Sequence, residues 1–191
     1  MVGATLNEER AMKRMRYCLG LLWFFSMAVM AQDFARTAEE NAMCVAVINQ
    51  GRDTSDQANW VHMHHYCDCL RFTQRAVSSA NEAQRRDNLG QAVDGCNYVL
   101  GHVSENFYMR PMVLVSRGRA LELAKRPAEA IADYETAIRL NPSYYKAYIG
   151  LSDAYMAVGD RKAALQAVER GLQVAPQSTG LQKRLAKLKG S

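Results

Sequence analysis

The sequence predicts an all-α protein, a solenoid of helical hairpins closed by a C-terminal capping helix. Three observations carry that expectation. The segments "QAVDGCNYVL" (91–100), "EAIADYETAI" (129–138) and "AALQAVERGL" (163–172) align without gaps, share Ala at the second position and apolar residues at the third and last, and start 38 and 34 residues apart. Repetition at such a period marks stacked units, each too small to bury its apolar face alone. No run shows the two-residue alternation of a strand. Near the C-terminus, "STGLQKRLAKLK" sets Leu181, Leu185 and Leu188 on one helical face and Lys and Arg opposite, the polar-backed end that keeps a solenoid from self-association.

Composition agrees. The 191 residues are 49% hydrophobic and 23% charged, a globular balance with enough chain for a proper core. The net charge of +5 and the pI near 9.0 are spread thinly. No basic run is interleaved with aromatics, so nucleic acid is not an expected partner.

Residues 1–31 read as a secretory signal peptide. Lys13, Arg14 and Arg16 precede an apolar run from Tyr17 to Ala31, with Val29 and Ala31 at the −3 and −1 positions of a cleavage site. The run is short of the ~20 residues of a membrane-spanning helix. Met12 is an alternative start, since Glu8 and Glu9 sit oddly in such a leader. Gln32, not Cys, follows the cut, which argues against lipid attachment. The expected location is the periplasm, with no integral span in the mature chain. There Cys44, Cys67, Cys69 and Cys96 form an even set where disulfides persist.

Residues 32–110 are expected to form an N-terminal helical region with a degenerate hairpin unit, and residues 111–191 two regular units and the cap. Helices are expected near 35–50, 60–80, 86–101, 111–124, 127–140, 145–158, 161–174 and 178–188. A polar turn, "NQGRDTSDQAN", separates the first two. Pro142 and Pro176 stop the second helix of each regular hairpin, and Gly159-Asp160 makes the turn inside the second. Four extra residues in "HVSENFYM" separate the degenerate unit from the next.

Position by position, residues 111–191 resemble the tetratricopeptide repeat family, and residues from 60 onward do so more faintly. Counting from Pro111, its landmarks fall on Leu114, Gly118, Leu121, Ala130, Tyr134, Ala137 and Pro142. Counting from Tyr145, they fall on Tyr148, Leu151, Ser152, Tyr155, Gly159, Ala164, Gly171 and Pro176. Leu121 stands where the family has Tyr, and Val168 where it has an aromatic; both stay apolar. The resemblance implies a right-handed, TPR-like solenoid that binds another protein in the concave groove lined by the first helix of each hairpin. Carried over by position, that lining is Met112, Val115, Arg119 and Glu122, then Lys146, Ile149, Asp153 and Met156. Val115 and Ile149 replace the Lys/Asn pattern with which some members clamp a C-terminal carboxylate, so that ligand is disfavoured.

The stretch "WVHMHHYCDCL" (60–70) has two readings. On a helix, His62, His65 and Cys69 share a face, whereas Cys67 points about 200° from Cys69. One reading is a metal site from His62, His65 and Cys69, although a structural zinc needs four ligands. The other is a stapled scaffold. Counting from hairpin turns near residues 54–55 and 84 pairs Cys44 with Cys67 and Cys69 with Cys96, each closure contributing ~3 kcal/mol. The stapled extension is the expected arrangement, with no cofactor.

No nucleophile–base arrangement, phosphate loop or carboxylate pair suggests an enzyme; His64 and Asp68, at i and i+4, read as a solvated pair. The expected function is a periplasmic adaptor or assembly factor for a cell-envelope complex. The alternatives are a metal- or haem-handling protein using the 60–70 helix, or a permanent subunit of a larger envelope complex.

Overall fold

The computed structural model describes residues 37–49 and 56–190. The expected signal peptide, the junction near Ala31 and most of the polar turn lie outside them. Along the described residues the chain forms helices α1 (Ala38–Asn49), α2 (Gln57–Trp60), α3 (His64–Ser78), α4 (Glu82–His102), α5 (Arg110–Leu123), α6 (Pro127–Leu140), α7 (Tyr145–Ala157), α8 (Arg161–Val174) and α9 (Thr179–Lys189), without strands. From α3 onward they pack as successive antiparallel hairpins, α3–α4, α5–α6 and α7–α8, with α9 closing on α8. The first helices α3, α5 and α7 also touch one another in sequence, which makes theirs the inner row of the stack.

The regular hairpins follow the repeat closely. Pro111 and Pro127 stand in the first turns of α5 and α6, where a missing N–H leaves no helical bond unmade. The turns inside the two hairpins each place one residue in the left-handed region, Lys125 at φ 59° and Gly159 at φ 83°, 34 positions apart in sequence. Glycine meets that requirement freely, whereas lysine meets it against its Cβ.

Small residues permit the close helix approaches. A Cβ on Gly118 would lie 2.8 Å from the Tyr134 ring, and one on Gly150 only 2.3 Å from its Cζ. Tyr134, on α6, therefore threads between α5 and α7 through two glycines. Gly171 does the same in the next unit, where a Cβ would meet Tyr148 at 2.8 Å and Leu181 at 3.0 Å.

The degenerate unit departs from the expected pattern in three ways. Its first helix is broken: α2 ends at Trp60, and a turn over residues 61–63 leads into α3. The break buries both Trp60 and Met63, and Trp60 meets Phe107 edge-on at 5.9 Å. The extra residues after α4 fold beneath this turn, with Val103, Phe107 and Met109 buried. Asn59 clamps the two, donating to Ser104 Oγ at 3.0 Å and accepting from Ser104 N at 2.6 Å. Second, α4 starts at Glu82, ahead of the expected 86, because the Asn81 side chain caps it, accepting from Ala83 N at 2.8 Å.

Third, the staple forms at the second expected pair. Cys69 and Cys96 are disulfide-bonded, joining α3 to α4 with Cα atoms 5.2 Å apart. Gly95 makes room for it: a Cβ there would lie 2.9 Å from Cys69 N and from His65 O. The expected Cys44–Cys67 bond is absent from this structure, and both thiols are buried. The expected pairing takes one unbroken helix from residue 60, whereas the chain turns at residues 61–63.

Candidate functional site: the inner face of the hairpin stack

The inner face is built from α5 and α7, flanked by α3 and α9. Tyr66 on α3 shares a 2.8 Å hydrogen bond with Ser116 on α5, which ties the degenerate unit to the regular ones across this face. The eight residues that the repeat register assigns to the groove fall into three groups. Met112, Val115 and Ile149 are partly buried against the core. Arg119, Lys146 and Met156 are exposed. Glu122 and Asp153 are engaged within the protein.

Those engagements are specific. Tyr134, having passed between Gly118 and Gly150, donates its hydroxyl to Glu122 Oε2 at 2.6 Å. Burial pushes the Glu122 carboxyl above its ordinary range, and the Tyr134 bond only partly offsets that. Burial and the adjoining Glu122 likewise push the Tyr134 phenol well up, so it stays a donor. Asp153 accepts a forked pair from Arg184 of α9, at 2.7 and 2.5 Å. This planar two-point geometry is the strong form of the ion pair.

The capping helix thus does more than cover the end of the stack. Leu181 and Leu188 are buried beneath it, and Arg161 of α8 donates to the Leu188 carbonyl. Arg184, expected on the solvated side, instead reaches onto the inner face. A Cβ on Gly180 would stand 3.1 Å from Ile149 Cδ1. Ile149 and Asp153 are therefore covered in part by α9, and the open lining shortens to the α5 side and the start of α7. Charge follows from this. Both carboxylates are held internally. Arg119 reaches Glu122 only at 3.9 Å with its side chain 57% exposed, and no ion pair of Lys146 occurs among the described residues. The open lining is positive.

A second polar network, which sequence reasoning missed, lies between α4, α5 and α6. Arg117 forks onto Asp133 at 2.8 and 2.6 Å and donates to Asn97 at 2.7 Å. Asp133 is buried, so the network joins three helices rather than presenting a ligand site.

The metal reading of His62, His65 and Cys69 does not survive in that form, because the Cys69 sulfur is committed to Cys96. Among the described residues, no three His, Cys, Asp or Glu side chains converge as a metal cage. No described helix is long and apolar enough to cross a membrane.

Comparison with known proteins agrees with this architecture. Residues 121–188 match the model of the tetratricopeptide repeat family. Over 113 residues the chain is 31% identical to the Hsp70-Hsp90 organizing protein of Triticum aestivum, a match covering 58% of this chain and 19% of that protein. The chain thus spans about a fifth of that relative's length. Among solved structures, the TPR domain of Sgt2 from Aspergillus fumigatus superposes with a TM-score of 0.51 at 22% identity, covering 64% of this chain and 78% of that one. The first TPR of Spaghetti (RPAP3), solved bound to an HSP90 peptide, gives 0.50 at 22% identity, covering 65% and 95%. These likenesses establish the fold: a tetratricopeptide-type stack of helical hairpins.

Proposed function

From a tetratricopeptide-type stack with an open inner face, we propose that this protein is a non-enzymatic adaptor that holds a segment of another protein along that face. The observation that carries the reading is the charge asymmetry of the lining. Glu122 and Asp153 are satisfied by Tyr134 and Arg184, whereas Arg119 and Lys146 extend outward from consecutive inner helices. A partner segment with acidic side chains beside apolar ones would meet those charges and the edges of Met112 and Val115. The Spaghetti domain was solved with an HSP90 peptide, and the wheat relative is named for organizing Hsp70 and Hsp90. Those partners belong to those proteins. Here Val115 and Ile149 occupy the clamp positions, so the proposed ligand is an internal acidic segment rather than a free C-terminal carboxylate.

We place this adaptor in the periplasm, as an assembly factor for an envelope complex. The reading rests on the leader-like residues 1–31 and on the disulfide that the structure forms. The test is the double substitution Arg119→Glu with Lys146→Glu. Both side chains are exposed, so stability should change by no more than about 0.5 kcal/mol. Capture of the partner from envelope extracts should be lost, since like charges opposed across an interface cost several kcal/mol. Equal capture by the double variant would move the working surface elsewhere.

A further inference from the structure

The chain has four histidines, and the fold brings all of them to one surface patch. His62, His64 and His65 lie at the turn into α3, and His102 ends α4. Tyr98, one helical turn before His102, stands among them, with ring centroids 4.0 Å from His102 and 3.9 Å from His65. His62 and His102, forty positions apart in sequence, have centroids 4.9 Å apart. Nothing in the repeat architecture requires this convergence, and none of these rings takes part in the inner face.

Backbone bonds settle how one of this pair presents itself. His102 Nδ1 lies 2.7 Å from the Tyr98 carbonyl. A carbonyl only accepts, so Nδ1 carries a hydrogen in that bond and Nε2 is the ring nitrogen left for a ligand. Fixing the tautomer through an Nδ1–H to carbonyl bond is how proteins prepare imidazoles for metal ligation. His65 is held differently: its Nδ1 is 3.5 Å from Asp68, which turns it toward its own helix.

We propose that His62 and His102 together chelate a divalent first-row transition ion on this surface, through His102 Nε2 and a ring nitrogen of His62. Geometry supports the pair. An ion about 2.0–2.1 Å from one nitrogen of each ring, with a ligand–metal–ligand angle of about 90–110°, sets the centroids roughly 4.5–5.2 Å apart. The observed separation falls inside that span. The protein supplies two donors and water completes the shell, so the ion is exchangeable rather than structural. Imidazole pairs suit Cu²⁺, Ni²⁺ and Zn²⁺, with Cu²⁺ bound most tightly. This inference is independent of the adaptor reading.

The experiment uses the full, disulfide-intact chain, titrated with Cu²⁺ by calorimetry and electron paramagnetic resonance, with Zn²⁺ as a second probe. One equivalent should bind with nitrogen hyperfine structure and without a thiolate charge-transfer band. His62→Ala and His102→Ala should each weaken binding roughly tenfold or more, the loss that even an outer-shell partner can cause. His64→Ala should leave it unchanged, and unaltered melting of all three variants shows that the fold is intact. Absence of stoichiometric binding, binding of parent strength by either His62→Ala or His102→Ala, or a thiolate band would overturn the proposal.

Discussion

Replacing Gly150 by alanine adds one methyl group, and the structure makes that methyl expensive. Its Cβ would lie 2.3, 2.4 and 2.8 Å from three atoms of the Tyr134 ring. The ring cannot retreat, because Gly118 backs it from the other side and the hydroxyl is held on Glu122 at 2.6 Å. Overpacking of this kind typically costs about 1–3 kcal/mol. Displacing the ring also loosens a hydrogen bond to a carboxylate, about 1.5–3 kcal/mol. Against this stands the helix preference of alanine over glycine, up to about 1 kcal/mol. The balance is a net loss of about 1.5–6 kcal/mol, read by urea denaturation followed by circular dichroism. The same substitution in a Tyr134→Ala background meets no ring and should be neutral or stabilising by up to about 1 kcal/mol. If Gly150→Ala is harmless in the parent, or equally harmful in both backgrounds, the threaded tyrosine does not set the helix spacing.

Non-reducing peptide mapping should recover Cys69 joined to Cys96, and reduction should destabilise the fold by about 3 kcal/mol. Cys44 and Cys67, both buried, should alkylate only on unfolding; a Cys44–Cys67 peptide would contradict the structure. Glu122→Gln tests the buried carboxyl. Its folded-state pKa is raised, so the folded protein holds the proton more tightly and loses stability as pH rises from the ordinary 4.5 through the raised value. The stability of the variant relative to the parent should therefore increase across that window, and a pH-independent difference would be the contrary result. Under the export proposal, N-terminal sequencing of periplasmic protein should start near Gln32, and retained Met1 or Met12 would end that reading.

Hairpin boundaries from residue 110 onward were legible because prolines, turn residues and small residues recur at one spacing, and each acts locally. The role of Tyr134 was half legible. Its position as a large landmark is in the repeat, but its passage between Gly118 and Gly150 requires knowing how far apart neighbouring units stand. The degenerate unit was harder, since the break at residues 61–63 depends on Asn59 meeting Ser104, 45 positions away. That break displaces the register on which the Cys44–Cys67 pairing is counted, whereas the Cys69–Cys96 pairing, counted from the turn near residue 84, lies beyond it and forms. The leucine face of α9 is readable from sequence and leaves Arg184 to solvent, whereas the Asp153 carboxylate that it meets one unit back is not readable. The meeting of His62 with His102 is non-local in the same sense.

The two ends of the hairpin stack are secured by different chemistry, and this gives the molecule a direction in which to come apart. At α3–α4 the closure is covalent, so those helices cannot separate while the disulfide is oxidised. At α9 the closure is noncovalent, including a pair of buried leucines, the forked Arg184–Asp153 ion pair and the Arg161 bond to the Leu188 carbonyl, all breakable in water. A linear stack loses its least-bonded terminal unit first, and each loss exposes the next. Amide hydrogen exchange should therefore be fastest in α9 and slow progressively back toward α4, and lifting α9 would uncover Ile149 and Asp153 while the rest of the inner face remained intact.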